Sequence, residues 1–237
     1  VVEPVAEFVD ELGRQVVATT EVPLNGVRND VRSRETNLGN LVADSILVAG
    51  QREAVAVGVE APVVALQNGG GIRNDSVLDG DLTALDTYDV LPFSNFVAIA
   101  PEMPVETFVA GVERGLSGGV TGGVLQPAGQ FAQAAGYSVK YDASQPVGSR
   151  IVDLVLDDGT VLVADGNPTG ALDTISVATI DFLLRGGDGY PFDGVAFTVL
   201  PLTYQQALEE YLVGDLGGVV TAEQYPVKAD GRIIPVS

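Results

Sequence analysis

Val63-Val64-Ala65-Leu66-Gln67-Asn68-Gly69-Gly70-Gly71-Ile72-Arg73 joins an apolar run to three consecutive glycines and an arginine. The run Val63 to Leu66 is short and bounded by a turn signal, which predicts a buried strand. Three glycines let a backbone approach a ligand closely, and their N–H groups can form an anion-binding nest. A plain tight turn accounts for the same residues. No Gly-Lys-Ser/Thr follows, so this is not the nucleotide-triphosphate phosphate loop. The third glycine is also misplaced for a dinucleotide fingerprint.

Outward from this stretch, strands and helices alternate irregularly. Upstream, Val5, Phe8, Val9, Leu12 and Val16 recur at helical spacing and predict an amphipathic opening helix. Glu21 to Asp30, with Pro23, Asn25 and Gly26, reads as an irregular connection. A second helix is expected from Asn37, a residue type that caps helices well, with Leu38, Leu41, Val42 and Ile46 on one face.

Downstream, Phe96 to Ala100 is a second apolar strand, and Pro104 opens a helix bearing Val105, Phe108, Val109, Val112 and Leu116. Ser117 to Gly123 reads as a glycine-rich loop. Tyr137 to Tyr141 and Ile151 to Leu156 read as strands, and Asp158-Gly159 predicts a hairpin into Thr160 to Val163. Thr174 to Ile180 is a further strand, and Tyr204 to Val213 a last helix. No internal repeat or regular βαβ beat is present. The expectation is a single α+β domain over residues 1–237, a mixed β-sheet packed with α-helices.

Composition narrows the chemistry. The chain of 237 residues is 46% hydrophobic and carries a formal net charge of −20. That is ample for a core and argues against disorder. The charge disfavours nucleic-acid polymers as partners. It reads as a solubility feature rather than a calcium-binding or halophilic one. No run of about 18 apolar residues exists, so no membrane span is expected. The first residues, Val1-Val2-Glu3-Pro4, lack the order of a signal peptide and read as a mature or truncated start.

The sequence has no cysteine and no histidine. Thiolate and histidine metal sites, Ser-His-Asp catalysis and histidine-based dimetal hydrolysis therefore cannot be built from these residues. An all-oxygen carboxylate site, suited to magnesium or calcium, stays open.

Four constellations can carry chemistry. Arg28, Arg32 and Arg34 precede the second helix, where guanidinium groups and free helix N–H groups favour anions. A solvated, salt-bridged loop is the alternative. The glycine loop from Asn68 to Arg73 is the second. Phe93, in Leu91-Pro92-Phe93-Ser94-Asn95-Phe96, offers a flat stacking surface or is ordinary core. Phe182 can stack on a base, and Asp188, in Gly186-Gly187-Asp188-Gly189-Tyr190, can accept hydrogen bonds from sugar hydroxyls. An Asx-type turn is the alternative there.

The order of these motifs, together with Arg34-Glu35-Thr36-Asn37-Leu38-Gly39-Asn40-Leu41 and the closing Ala229-Asp230-Gly231-Arg232-Ile233, resembles the C-terminal domain of the 5'-nucleotidase family, of the UDP-sugar hydrolase and ecto-5'-nucleotidase type. The resemblance covers almost the whole chain. It implies that Phe93 and Phe182 clamp a nucleobase and that Asp188 binds the ribose hydroxyls. Arg28, Arg32 and Arg73 would face the substrate. Asn68 and Asn95 match asparagines near it, and Gly129 matches a glycine near the base.

Family members carry a preceding metallophosphatase domain with two divalent metals of the zinc or manganese type. No residue here matches that domain, so the resemblance implies no catalytic or metal-binding residue in this chain. It implies recognition of a nucleotide or nucleoside, with hydrolysis performed by the preceding domain. Residues 1–30 would form a hinge-side helix and linker, and the protein would be secreted, periplasmic or on the cell surface. A stand-alone nucleotide-binding module and a surface structural domain with an idle pocket are the competing readings.

Overall fold

Strand β2 (Val64–Asn68) is buried at every one of its five positions. A strand reads as a continuous apolar run when both faces are covered, and here both are. The computed structural model, which describes residues 2–228 and 231–236, places β2 within a five-stranded sheet of order β13-β4-β12-β2-β7. Its other strands are β4 (Phe96–Pro104), β7 (Ala132–Ala135), β12 (Thr174–Ile180) and β13 (Thr198–Thr203). Only β12 and β2 run parallel; the other neighbours are antiparallel.

Helix α2 (Asn37–Val57) packs on β2, β4, β7 and β12. Thr36, not Asn37, is its N-cap: the Thr36 hydroxyl accepts the Gly39 N–H at 3.0 Å. Asn37 instead accepts the Asn25 N–H at 2.9 Å and donates to the Pro23 carbonyl at 3.0 Å, locking the preceding strand to the helix. Gly58, at φ 72°, ends the helix in the left-handed conformation that glycine adopts without strain. Helix α4 (Val105–Gly115) also packs on β4 and β12. Its Phe108 meets Tyr137 edge to face at 5.3 Å, which joins the main sheet to a second one.

That second sheet has the order β11-β10-β9-β8-β15. Its strands are β8 (Tyr137–Tyr141), β9 (Ile151–Leu156), β10 (Val161–Ala164), β11 (Asn167–Pro168) and β15 (Ile233–Pro235). Gly159, at φ 90°, makes the expected turn between β9 and β10. A third, three-stranded sheet contains β1 (Val16–Asn25), β3 (Val77–Thr83) and β14 (Val219–Val220). The single mixed sheet expected is thus four among the described residues, the fourth a two-stranded ribbon, because periodicity marks a strand without naming its neighbour. The α+β class stands.

Several boundaries differ from expectation. Helix α1 (Val2–Leu12) stops before Val16, which opens β1. The Glu21–Asp30 segment is not wholly irregular, since β1 continues to Asn25. Its register with β3 shifts between Thr20 and Leu24, around Pro23, which has no N–H for the ladder. β3 and helix α3 (Ala84–Val90) gave no apolar alternation to read, since most of β3 is exposed. The Ser117–Gly123 loop includes β5 (Val120–Thr121), which pairs with β6 (Val124–Leu125). Helix α6 (Tyr204–Glu210) gives way to a π-helical turn over Tyr211–Asp215. A short helix α5 (Asp181–Leu184) follows β12 directly.

The closing segment is anchored by polar contacts. Arg232 forks onto the Asp44 carboxylate at 2.6 and 3.1 Å and donates to the Ala134 carbonyl at 2.8 Å. The Ile233 N–H donates to Glu35 at 2.9 Å. This explains part of the closing motif structurally; Ala229 and Asp230 lie outside the described residues.

Candidate functional site

The main sheet brings the motifs to one edge. β2 and β12 run parallel, so their C-terminal ends, at Asn68 and Ile180, face the same way. β4 and β7 run against them, so their N-terminal ends, at Phe96 and Ala132, lie at that edge too. Four connections therefore meet there: the glycine turn after β2, the Phe93–Asn95 loop before β4, the Gly129 loop before β7, and Phe182 with Asp188 after β12. A cavity of about 380 Å³ opens among them, lined by Arg32, Asn68, Gly70, Gly71, Arg73, Phe93, Asn95, Gly129, Phe182 and Asp188.

The rings are held by backbone contacts and left half in water. Phe93 is 46% exposed and Phe182 41% exposed. The Phe96 N–H donates to Asp181 at 3.0 Å, which ties the start of β4 to the turn bearing Phe182. The Phe93 N–H donates to the Tyr204 hydroxyl at 3.1 Å, and that hydroxyl donates to the Gly71 carbonyl at 3.4 Å. Tyr204 is fully buried, which pushes its pKa up to about 12 and keeps it a neutral donor. Half-exposed aromatic rings beside a cavity suit a planar ligand.

On the polar side, Asn68 donates to Asp188 Oδ2 at 2.6 Å and accepts from Gln67 at 2.7 Å. Asn68 therefore orients the carboxylate, whereas the Asn95 side chain makes no hydrogen bond among the described residues. Gly70 N–H donates to the Gly129 carbonyl at 2.7 Å. A Cβ on Gly70 would stand 2.9 Å from that oxygen and 3.2 Å from Asp188 Oδ2, so a side chain there would push into the carboxylate's place. Asp188 itself sits at φ 52°, ψ 16°, a conformation disfavoured for a residue with a side chain.

The expected arginine cluster divides. Arg32 lines the cavity, and its Nε is buried without a hydrogen-bond partner. Burial lowers its pKa, as do Arg28 and Arg73 nearby, while Asp188 and Asp75 oppose the shift. Arg73 donates to the Gly70 carbonyl at 3.4 Å and lies 5.6 Å from the centre of the Phe93 ring. Arg28 is close enough to act on Arg32 but does not line the cavity; its N–H donates to Asp75 at 2.8 Å. Arg34 turns away and pairs with Asp30 at 2.6 Å.

Gln133, on β7, escaped the sequence reading. Fully buried, it donates to the Val31 and Arg34 carbonyls at 3.0 and 2.9 Å and accepts the Thr36 N–H at 3.2 Å. It thus clasps the loop that presents Arg32. A glutamine within a small apolar strand, Ala132-Gln133-Ala134-Ala135, was the available signal.

Chemically, the site offers flat apolar faces, one carboxylate able to accept from hydroxyls, and guanidinium groups for an anion. Among the described residues no group of three or more His, Cys, Asp or Glu side chains is placed to hold a metal ion. No helix of the described residues is long and apolar enough to cross a membrane.

Residues 16–194 match the family model described as 5'-nucleotidase, C-terminal domain. The chain is 33% identical over 181 residues to the "Trifunctional nucleotide phosphoesterase protein YfkN" of Bacillus subtilis, covering 76% of this chain and 11% of that protein. It is 31% identical over 182 residues to the "Snake venom 5'-nucleotidase" of Macrovipera lebetinus, covering 74% of this chain and 42% of that one. The solved structure of a 5'-nucleotidase precursor from Thermus thermophilus superposes with a TM-score of 0.77 and 29% identity, over 100% of this chain and 42% of its own. The chain spans less than half the length of each of these relatives. With the family model matching most of its length, the chain belongs to the 5'-nucleotidase family, as a C-terminal domain of that type.

Proposed function

We propose that this domain binds the nucleoside part of a nucleotide and presents its phosphate to a hydrolytic domain of the same protein. One observation carries the reading: every expected contact residue except Arg28 lines a single cavity. Phe93 and Phe182 take the base between them. Such a clamp reads shape and polarisability more than hydrogen-bonding edges, so it tolerates different bases. Asp188 accepts from the two ribose hydroxyls. Arg32 and Arg73, with Arg28 behind them, take the anionic side.

The substrate class is a nucleoside monophosphate, a UDP-sugar or a 2',3'-cyclic nucleotide. Residues 1–30 act as the hinge-side segment, with helix α1 followed by strand β1 (Val16–Asn25) in place of a free linker. Two divalent metals, of the zinc or manganese type, belong to a preceding metallophosphatase domain, where they activate water and stabilise charge on phosphorus. This chain's residues supply orientation. Secretion or display at the cell surface or in the periplasm fits the venom relative and the acidic composition.

The test is calorimetric titration with adenosine and AMP. Phe93→Ala and Phe182→Ala should each weaken binding by about 1–3 kcal/mol, roughly 5- to 150-fold. Absence of heat with the unaltered protein, or unchanged affinity in both variants, refutes the clamp.

A further inference from the structure

Asp188 is poorly determined by its own sequence. It lies between Gly187 and Gly189, in a left-handed conformation, and Gly189 is itself at φ 74°. A Gly-Asp-Gly triplet has many alternatives of similar energy, and each would aim the carboxylate differently. Two turn hydrogen bonds, from the Gly189 N–H to Gly186 and from the Tyr190 N–H to Gly187, both 3.1 Å, shape the turn and leave the Asp188 carbonyl to be held by another group.

That group is Arg114, in the last turn of α4. Its Nε and Nη2 both donate to the Asp188 carbonyl oxygen, at 2.8 and 2.6 Å. Two donors from one rigid guanidinium converge on that oxygen and pin it, and with it the peptide that follows Asp188 and the side chain's direction. The guanidinium also fills the space under Gly189, where a Cβ would stand 2.9 Å from Nη2. Arg114 is held in turn: Nη1 donates to the Ser117 hydroxyl at 3.2 Å, and that hydroxyl donates to the Arg114 carbonyl at 2.7 Å. From the opposite side Asn68 holds Asp188 Oδ2, leaving Oδ1 without a hydrogen bond among the described residues. Arg114 does not line the cavity.

We propose that Arg114 is the positioning residue that aims Asp188, and that it thereby sets the domain's preference for a ligand carrying both ribose hydroxyls. The proposal rests on the nucleoside-binding reading above. It concerns a residue that lies outside the cavity lining.

The experiment titrates the chain with adenosine and with 2',3'-dideoxyadenosine, which keeps the base and lacks both hydroxyls. The unaltered protein should bind adenosine more tightly. In Arg114→Gln and in Arg114→Lys, which keeps the charge but not the fork, adenosine affinity should fall about tenfold. Dideoxyadenosine affinity should not move, because the ring clamp is untouched. In an Asp188→Ala background, Arg114→Gln should add nothing further. If the unaltered protein binds neither ligand, the nucleoside-binding reading fails, and the proposal with it; if it binds both equally, the Asp188–ribose contact fails, and the proposal with it. If it shows the preference and both Arg114 variants keep it, the proposal alone is overturned. Equal loss of both ligands in both variants also overturns it, since that is the mark of a merely structural arginine.

Discussion

Single hydroxyls and amides decide how the pocket's walls stand. Tyr204 bridges two walls by accepting from the Phe93 N–H and donating to the Gly71 carbonyl. Tyr204→Phe keeps the buried ring and removes only those bonds. It should cost about 1 kcal/mol in urea unfolding, because a buried carbonyl loses its donor. Nucleoside binding should weaken as the Phe93 loop loosens, and an unchanged affinity would show that the loop holds without the bridge. The two asparagines also separate at this scale. Asn68 is engaged with Gln67 and Asp188, so it shapes the carboxylate, while Asn95 remains available to a ligand.

At the scale of the element, the connection between β1 and α2 carries Arg32, and ion pairing braces it. Arg34 and Asn25 hold the Asp30 carboxylate, with the Arg34 hydrogen bond foremost, and its pKa falls below the ordinary carboxylate value. A depressed carboxylate contributes stability above its unfolded pKa and loses it as pH falls through the folded value. Thermal unfolding of Asp30→Asn should therefore fall below the unaltered protein at neutral pH, and the gap should close in acid. A gap unchanged between neutral pH and strong acid would exclude the pair as its source. The effect should be small, since Arg34 is 63% exposed and solvent screens the pair.

Across the whole molecule, sheet topology makes a site from distant segments. A parallel pair flanked by antiparallel strands delivers four connections to one edge. The division of labour proposed above belongs to this scale as well. The chain alone should release no phosphate from AMP with manganese or zinc added. Metal-dependent turnover by the pure protein that disappears in Asp188→Ala, and so is not a contaminant's, would place catalysis in this domain instead.

Much of this was written in the residues themselves. The strand Thr174–Ile180 and the turn at Gly159 followed from local pattern, because burial and turn chemistry act on neighbours in sequence. Phe93, Phe182, Asp188, Arg32 and Arg73 were recognisable through motif order and resemblance. Tertiary structure alone decided the rest. It set Gln133 behind Arg32, and laid the Arg114 guanidinium under Asp188, 74 residues along the chain. It also divided the described strands among four sheets. The physical reason is shared by all of these: hydrogen bonds and strand pairing between distant segments depend on which groups the fold brings within about 3 Å, and no local periodicity records that distance.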